Sequence, residues 1–165
     1  MIEAARFIVQ SRYRDDWLAA RQTGVTATTV ALAATPAGFE QAVRERHGLA
    51  VRTETPEMVF GSEAERHIIQ YAHDEFGLLD NDWLIAGVDR RHLGTPDALS
   101  VDHTRIGEAK TGSVIPKSVP RIHRDQDLWN MWVTGAYECV HLFNQRVPDG
   151  DWFRLGLWEP VVFVV

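Results

Sequence analysis

The chain has 165 residues, of which 45% are hydrophobic, with a net charge of −6 at pH 7 and a single cysteine, Cys139. This length and composition predict one folded domain over residues 1–165 and argue against a disordered chain. One cysteine excludes an internal disulfide or a cysteine-based zinc site, and the sequence has no signal-peptide-like or membrane-length apolar run, so we expect a cytoplasmic protein without a membrane partner.

The first half of the sequence predicts helices, from the spacing of apolar residues and from capping residues. Thr26 is a plausible N-cap, Gly48 is placed to end a helix, and Thr55-Pro56-Glu57 has the cap, proline and acid of a helix start. The predicted helices cover residues 13–21, 26 or 27 to 33, 39–47 and 55–77, with a break at 36–38.

The second half predicts strands around one helix. The strands cover residues 83–91, 98–102, 106–110, 139–144, 152–158 and 160–165, the last as a core strand, and the helix covers 125–137. Trp129, Trp132, Val133 and Ala136 form the predicted apolar face of that helix. This order predicts an α/β (α+β) fold, with a mixed central β-sheet flanked by helices.

Two carboxylates and a lysine on neighbouring predicted strands are the most informative residues. Glu108 and Lys110 are two positions apart, so both side chains point to one face of a strand, and Asp97 follows Pro96 at the start of the preceding strand. Hard divalent cations bind carboxylate oxygens and hold a water and a phosphate oxygen, and a neighbouring lysine can orient or deprotonate that water. The residues therefore predict magnesium-dependent phosphodiester hydrolysis; the alternative is a surface salt-bridge cluster.

The scarcity of lysine in the sequence favours the interpretation of Lys110 as a catalytic residue. The sequence has fifteen arginines and only two lysines, Lys110 and Lys117. Arginine stays charged in proteins, whereas lysine can titrate, so a lysine retained at position 110 suits a proton-transfer role.

Three further polar residues share a helix face with apolar ones. Glu65 lies on the face of Ile68 and Ile69, Gln126 is on the predicted apolar stripe, and Arg21 follows Leu18 by three residues. A buried carboxylate needs a partner or a metal, and an arginine in this position suits a phosphate. The alternative for each is the edge of an amphipathic helix.

The net negative charge argues against a nucleic-acid binder, but the local distribution of charge does not. Residues 112–124 contain Lys117, Arg121, His123 and Arg124 and no acidic residue. A basic stretch beside the predicted metal site suits contact with phosphates. An ordinary solvated loop is the equal alternative.

Several short motifs occur in order between residues 17 and 137 and together resemble a known family. They are Trp17-(x)3-Arg21-(x)3-Val25-Thr26-Ala27-Thr28, Gly61-(x)3-Glu65, Thr95-Pro96-Asp97, Glu108-Ala109-Lys110 and Gln126-(x)4-Met131-Trp132-Val133-Thr134-Gly135. This order is similar to the phage lambda exonuclease/YqaJ-like viral recombinase family of the PD-(D/E)xK nuclease superfamily. The resemblance implies a restriction-endonuclease-like core and a 5′→3′ exonuclease that degrades one strand of linear duplex DNA in phage-type recombination.

The resemblance also implies the roles of the site residues. Two magnesium ions, with manganese as another possibility, are expected to be held by Glu65, Asp97, Glu108 and the backbone carbonyl of Ala109. Lys110 is expected to activate the attacking water. Gln126 is expected to orient active-site groups or the DNA strand. Arg21 and Thr28 are expected to bind the 5′-terminal phosphate of the recessed strand.

The partners implied by the resemblance are double-stranded DNA ends, two further copies of the chain in a ring-shaped homotrimer, and a single-strand annealing protein, in the cytoplasm of a bacterial host. An endonuclease or nickase of the same superfamily is the first alternative. The second alternative is a catalytically idle scaffold that binds DNA ends.

The chain departs from the family pattern at four points. Leu128 stands where the family often has glutamine, and Thr28 replaces the commoner serine. An additional acidic position of the family has Asp89 as a candidate, with a different spacing. The chain is also short for the family, which bears on the trimeric ring and on processivity.

Overall fold

The computed structural model describes residues 2–3, 6–49 and 53–165. Most of its helices precede its longer strands, as the sequence predicts. The helices of the described part are α1 (Arg14–Gln22), α2 (Ala27–Ala33), α3 (Pro36–Arg46), α4 (Pro56–Phe76) and α5 (Arg121–Thr134). The strands are β1 (Phe7–Gln10), β2 (Val25–Thr26), β3 (Leu78–Asp80), β4 (Trp83–Ala86), β5 (His92–Gly94), β6 (Ala98–Ser100), β7 (Arg105–Gly112), β8 (Glu138–Asp149), β9 (Trp152–Leu155) and β10 (Val161–Val164).

Threonine side chains define where three of the helices begin. Thr26, Thr35 and Thr55 each precede a helix, and each hydroxyl accepts a hydrogen bond from a backbone N–H in the first turn. These bonds satisfy donors that have no partner within the helix. The predicted N-cap at Thr26 and the predicted start of α4 are therefore confirmed, as is its end at Gly77, which has a φ of 67°.

The start of α3 corrects a prediction. Residues 36–38 do not break the chain into a loop, because Pro36 is the first residue of α3. A proline fits the first turn of a helix, where its missing N–H is not needed. The predicted end of this helix is confirmed, since Gly48 follows with a φ of 67°.

A six-stranded sheet forms the centre of the fold. Its main path runs β10-β8-β7-β6-β3, and β9 pairs with β8. Strands β7 and β8 are parallel over eight residues, while the other pairs are antiparallel, so the sheet is mixed as predicted. A smaller four-stranded sheet has the order β1-β4-β5-β2.

Helices cover both faces of the six-stranded sheet. Ile68 and Ile69 of α4 are buried against Ala109 of β7 in one core cluster. Val133 of α5 is buried with Ile106 of β7 in another. Because side chains alternate along a strand, Ala109 faces α4, whereas Ile106, Glu108 and Lys110 face α5. The predicted fold class, a mixed sheet flanked by helices, is confirmed.

Some predicted elements have different boundaries in the structure. The predicted strand 83–91 is a strand only over β4 (Trp83–Ala86), because residues 87–91 form a turn, and β1, β2, β3 and β5 were not predicted. Helix α5 begins at Arg121 rather than at residue 125. Its predicted apolar face is wrong at Trp132, which is 70% exposed. The C-terminal strand β10 pairs with β8, but Val164 is exposed, so the prediction of a core strand holds only in part.

Cys139 is buried and forms no disulfide. Among the described residues, no helix is both long enough and apolar enough to span a membrane.

Candidate active site

Strand β7 places Glu108 and Lys110 side by side on the sheet face that α5 covers. The Lys110 Nζ atom donates a hydrogen bond of 2.6 Å to Glu108 Oε1, and Glu108 is only 5% exposed. Ala109 lies between them, and its backbone N–H donates to Asp97 Oδ2 at 2.8 Å. The predicted arrangement of the two residues on one strand face is present, in a buried setting rather than on a solvated surface.

Asp97 reaches the same place from the loop before β6. The Asn81 side chain donates to the carbonyl of Pro96 at 2.7 Å, and the Asn81 backbone N–H donates to the carbonyl of Asp97 at 3.0 Å. These bonds fix the loop so that the Asp97 carboxylate meets β7. Asn81 is a supporting residue that no sequence pattern singled out.

Three oxygen atoms surround the Lys110 ammonium. Glu108 Oε1 lies at 2.6 Å, the Ala109 carbonyl oxygen at 3.1 Å and Asp97 Oδ2 at 3.8 Å. The family resemblance assigns these same groups to a metal. Within the described residues, no group of three or more acidic, histidine or cysteine side chains is placed to hold a metal ion. The donor set is therefore two carboxylates and one carbonyl, and hard oxygen donors of this kind fit magnesium.

The carboxyl groups of the site are forced together in a buried place. Burial, followed by the charge of Glu108, raises the pKa of Asp97 to about 7. Burial, followed by the charge of Asp97, raises the pKa of Glu65 to about 7. The pKa of Glu108 is also raised, mainly by burial. The raised pKa values mean that the ionised carboxylates destabilise one another, so a divalent cation bound between them would stabilise the cluster.

Lys110 is held as an ammonium by its neighbours. Burial alone favours the neutral amine, but the carboxylates of Glu108 and Asp97 outweigh it and raise the pKa of Lys110. In this arrangement Lys110 is a cation that neutralises the cluster. A role as a base requires these carboxylates to be neutralised by something else.

A cavity of about 460 Å³, which we call the site cavity, joins most of the predicted residues. Its lining includes Arg21, Thr28, Asp97, Glu108, Lys110 and Gln126. The structure therefore brings six of the predicted residues to one cavity, from elements spread over more than 100 positions of the chain.

Glu65 and Ala109 lie on the other side of Lys110. Together with Lys110 they line an adjacent depression of about 370 Å³ and do not line the site cavity. This follows from the fold, because α4 carries Glu65 on the sheet face opposite α5. Glu65 is half-buried and is coupled electrostatically to Asp97 and Lys110.

Arg21 and Thr28 form the far wall of the site cavity. The Arg21 guanidinium lies over the ring of Trp17, 4.3 Å from its centre, and is half-buried. Thr28 is in the first turn of α2 and is also half-buried. Gln126, on α5, is half-buried as well, whereas Leu128 is exposed.

The sequence did not identify several polar residues behind the site. Asn130 is 2% exposed, and its Nδ2 atom donates to Glu108 Oε2 at 3.3 Å. Asp127 and His141 are fully buried and joined by a hydrogen bond of 2.9 Å. Asn130 follows Gln126 by four residues on one helix face, which was a usable signal. The pairing of Asp127 with His141 had no such signal.

Two other sequence features have different settings. Asp89 lies on the exposed turn between β4 and β5, where it binds Arg91, and it is not in the lining of the site cavity.

In the basic segment, Lys117 and Arg124 are exposed, but His123 lines the cavity. Burial, followed by the charge of Lys110, lowers the pKa of His123 to about 4, so it is neutral at pH 7.

Comparison with known proteins identifies the fold. No protein-family model matches the chain, and no curated protein matches it. An alkaline exonuclease from Laribacter hongkongensis, LHK-Exo, matches with a TM-score of 0.66 and 23% identity, over 90% of this chain and 81% of the other. The complex of LHK-Exo with dAMP matches over 90% of this chain and 82% of the other, with a TM-score of 0.65 and 23% identity.

A phage-related exonuclease from Haemophilus somnus matches with a TM-score of 0.65 and 14% identity, over 86% of this chain and 83% of the other. At these identities the similarity establishes a shared fold. The chain therefore has the fold of these exonucleases, in agreement with the family resemblance of its motifs.

Proposed function

We propose that this chain, which has the fold of these exonucleases, is a metal-dependent 5′→3′ exonuclease of the lambda exonuclease/YqaJ-like family. Its proposed substrate is the end of linear double-stranded DNA, of which it degrades one strand. The observation that carries the proposal is the meeting of Glu108 Oε1, the Ala109 carbonyl and Asp97 Oδ2 around one cation position beside the site cavity. A salt-bridge cluster on a solvated surface does not need this buried convergence.

The proposed metal ligands are Asp97, Glu108 and the carbonyl of Ala109, with Glu65 contributing from α4. Magnesium, or manganese, at this site supplies a polarised phosphodiester and a nucleophilic water at neutral pH. The raised pKa values of Asp97 and Glu65 support the assignment, because a cation relieves the repulsion between buried carboxylates.

Lys110 has a proposed role in handling the proton of the attacking water. Its Nζ atom lies 2.6 Å from Glu108 Oε1 at the edge of the site cavity. The negative charges of Glu108 and Asp97 are what raise its pKa. A divalent cation held by those carboxylates would offset their charge, so the Lys110 ammonium would lose its proton more readily and the resulting neutral amine would accept a proton from water.

Arg21, Thr28 and Gln126 have proposed roles in placing the DNA end. Arg21 offers a guanidinium fork and Thr28 a hydroxyl, both suited to a terminal phosphate, at the wall facing Lys110. Water attack at phosphorus breaks the bond to the 3′ oxygen, which releases a mononucleotide and leaves a 5′-phosphate on the next residue. The new end is thus chemically the same as the old one and fits the same wall.

The family resemblance extends the proposal to partners. A ring-shaped homotrimer, a single-strand annealing protein and a role in phage-type recombination in the bacterial cytoplasm all follow from that resemblance. The mass of the particle in solution, measured by light scattering with and without duplex DNA, tests the trimer.

Digestion of linear and closed circular duplexes tests the reaction. We expect magnesium-dependent loss of the linear duplex only, blocked by EDTA and by Glu108→Gln. Cutting of the closed circle would instead indicate the endonuclease alternative. Binding to ends without cleavage under any condition would indicate the idle scaffold. Because phosphate contacts supply most of the affinity, the KM for DNA is expected to rise steeply with salt.

A further inference from the structure

A buried acid–histidine pair lies behind Glu108 and has no part in the reaction proposed above. Asp127 of α5 and His141 of β8 are both 0% exposed, and His141 Nδ1 lies 2.9 Å from Asp127 Oδ2. The residues beside His141 on the same face of β8, Cys139 and Phe143, are apolar. Buried ionisable pairs are rarely more stable than well-packed apolar residues of similar volume, so stability alone does not account for this pair.

The pair fastens α5 to the sheet next to Glu108. His141 is the residue of β8 that pairs with Glu108 of β7, so the two side chains share one face of the sheet. Asp127 and Asn130 are three residues apart and share one face of α5. The helix therefore meets the sheet at two adjacent polar contacts, Asp127 with His141 and Asn130 with Glu108.

These contacts fix the orientation of the Glu108 carboxylate, so that one of its oxygens faces the cation position. Asn130 Nδ2 binds Oε2 at 3.3 Å, and Oε1 is left to face Lys110 Nζ at 2.6 Å. On its other side Asn130 is closely packed, since a Cβ added at Gly94 would lie 2.9 Å from Asn130 Oδ1. Asn130 thus has little room to turn, and its position depends on where α5 sits.

We propose that Asp127 and His141 are positioning residues that act through Asn130 on Glu108. They hold α5 so that the Asn130 amide binds Oε2 of Glu108 and presents Oε1 to a divalent cation. The inference rests on the metal site of the proposed function, because a bound metal is the reason that Glu108 must be oriented. Loss of such outer partners lowers metal affinity or activity by about 10- to 100-fold in known metal sites.

The main test removes both members of the pair together. The double variant Asp127→Leu/His141→Phe fills the space with apolar groups and leaves no unpaired buried charge. We expect it to fold with a Tm close to that of the original chain. Its dissociation constant for Mn²⁺, measured by calorimetry without DNA, is expected to rise about 10- to 100-fold. Unchanged Mn²⁺ affinity in the folded double variant would overturn the proposal.

A cycle with Asn130→Leu tests whether the pair acts through Asn130. We expect Asn130→Leu alone to weaken Mn²⁺ binding by a similar factor, and its combination with the double variant to weaken binding no further. Additive losses would contradict action through Asn130. If the double variant does not fold, Asn130→Leu decides the question, because unchanged Mn²⁺ affinity in that variant overturns the proposal.

Ile106→Val is the matched control for lost packing. Ile106 is on the same face of β7 as Glu108 and is fully buried, but it has no polar contact with the site. We expect this variant to keep the original Mn²⁺ affinity; an equal loss would show that packing alone explains the effect. If the chain without substitutions binds Mn²⁺ but does not cleave DNA, the proposed function is wrong, whereas this inference, which needs only the metal site, is unaffected. If the chain without substitutions binds no Mn²⁺, the proposed function and this inference are both wrong.

Discussion

The two walls of the site cavity are built in different ways. Glu108 and Lys110 come from a central strand of the six-stranded sheet, are bonded to each other, and Glu108 is 5% exposed. On the facing wall, Arg21 and Thr28 come from short helices and are half-buried. Helix α1, all of which the structure describes, has no buried residue.

The difference separates the chemistry from the recognition of the DNA end. Strand register and burial fix Glu108 and Lys110 as tightly as residues of a packed core. Two surface helices hold Arg21 and Thr28, where side chains have more freedom. We therefore expect changes on the sheet wall to abolish cleavage without loss of binding, and changes on the helix wall to alter which ends are bound.

Lys110→Ala is expected to have the largest effect. Loss of the amine that handles the proton of water is expected to lower kcat by roughly 10²–10⁴-fold, since positioned acids and bases contribute about that much. Affinity for duplex ends, measured by fluorescence anisotropy, is expected to stay the same. The matched control is Lys117→Ala, which removes the other lysine from an exposed position. A Lys110→Ala enzyme with near-normal kcat would contradict the division between the walls.

Arg21→Ala is expected to act on the opposite wall. A hydrogen bond to a charged group contributes about 1.5–3 kcal/mol, so the preference for a 5′-phosphate over a 5′-hydroxyl should fall by roughly ten- to a hundredfold. Competition between the two kinds of end measures this preference. Arg14→Ala is the control, because Arg14 also lies over Trp17 but is not in the lining of the site cavity. Equal effects of the two variants would mean that Arg21 does not read the phosphate.

The buried carboxylates around Lys110 also predict how stability depends on pH without metal. The folded chain raises the pKa values of Asp97 and Glu65 to about 7, so it binds more protons than the unfolded chain. This contribution is complete below about pH 4, the unfolded values, and is lost as pH rises through 7. We expect the Tm in EDTA to fall by several degrees between pH 5 and 8, given about 2–4 °C per kcal/mol.

Magnesium and Asp97→Asn provide the controls for this pH effect. Added magnesium is expected to restore the Tm at pH 8, and Asp97→Asn is expected to flatten the pH profile in EDTA. A Tm that rises from pH 5 to 8 in EDTA would show that folding does not raise the pKa values of Asp97 and Glu65.

Thr28 is expected to give the smallest effect. Thr28→Ala removes one hydroxyl contact to the terminal phosphate, worth about 0.5–1.5 kcal/mol, and should raise the KM for phosphorylated ends by up to about tenfold. Thr28→Ser keeps the hydroxyl and should leave the KM unchanged. If Thr28→Ser and Thr28→Ala raised the KM equally, the hydroxyl would not be the group that contacts DNA.

Local signals explain which parts of the fold were predictable. The helix starts at Thr26 and Thr55 were predictable because a threonine cap is encoded within three residues of its target. The turn over residues 87–91 was not, because Val88 follows Ala86 by two positions and continues the apolar alternation of a strand, although it is 93% exposed in the turn. Helix α5 starts earlier than predicted because residues 121–124 are mostly exposed and carry no apolar periodicity.

The site was predictable where neighbours in sequence are neighbours on a strand. Alternation along β7 was enough to place Glu108 and Lys110 together. The rotation of α5 was not predictable, because the sequence favours burying Trp132, whereas the structure exposes it and buries Asp127. The polar face turns inward because Asp127 and Asn130 find partners on β8 and β7, which lie far away in the chain.

The most direct measurement follows a duplex with a 5′-phosphate on one strand and a 5′-hydroxyl on the other, each strand carrying its own fluorophore. With magnesium, we predict that the phosphorylated strand shortens from its 5′ end with release of mononucleotides, while the other strand stays intact. Glu108→Gln should show no shortening. Shortening from the 3′ end, equal loss of both strands, or unchanged activity of Glu108→Gln would contradict the proposed reaction.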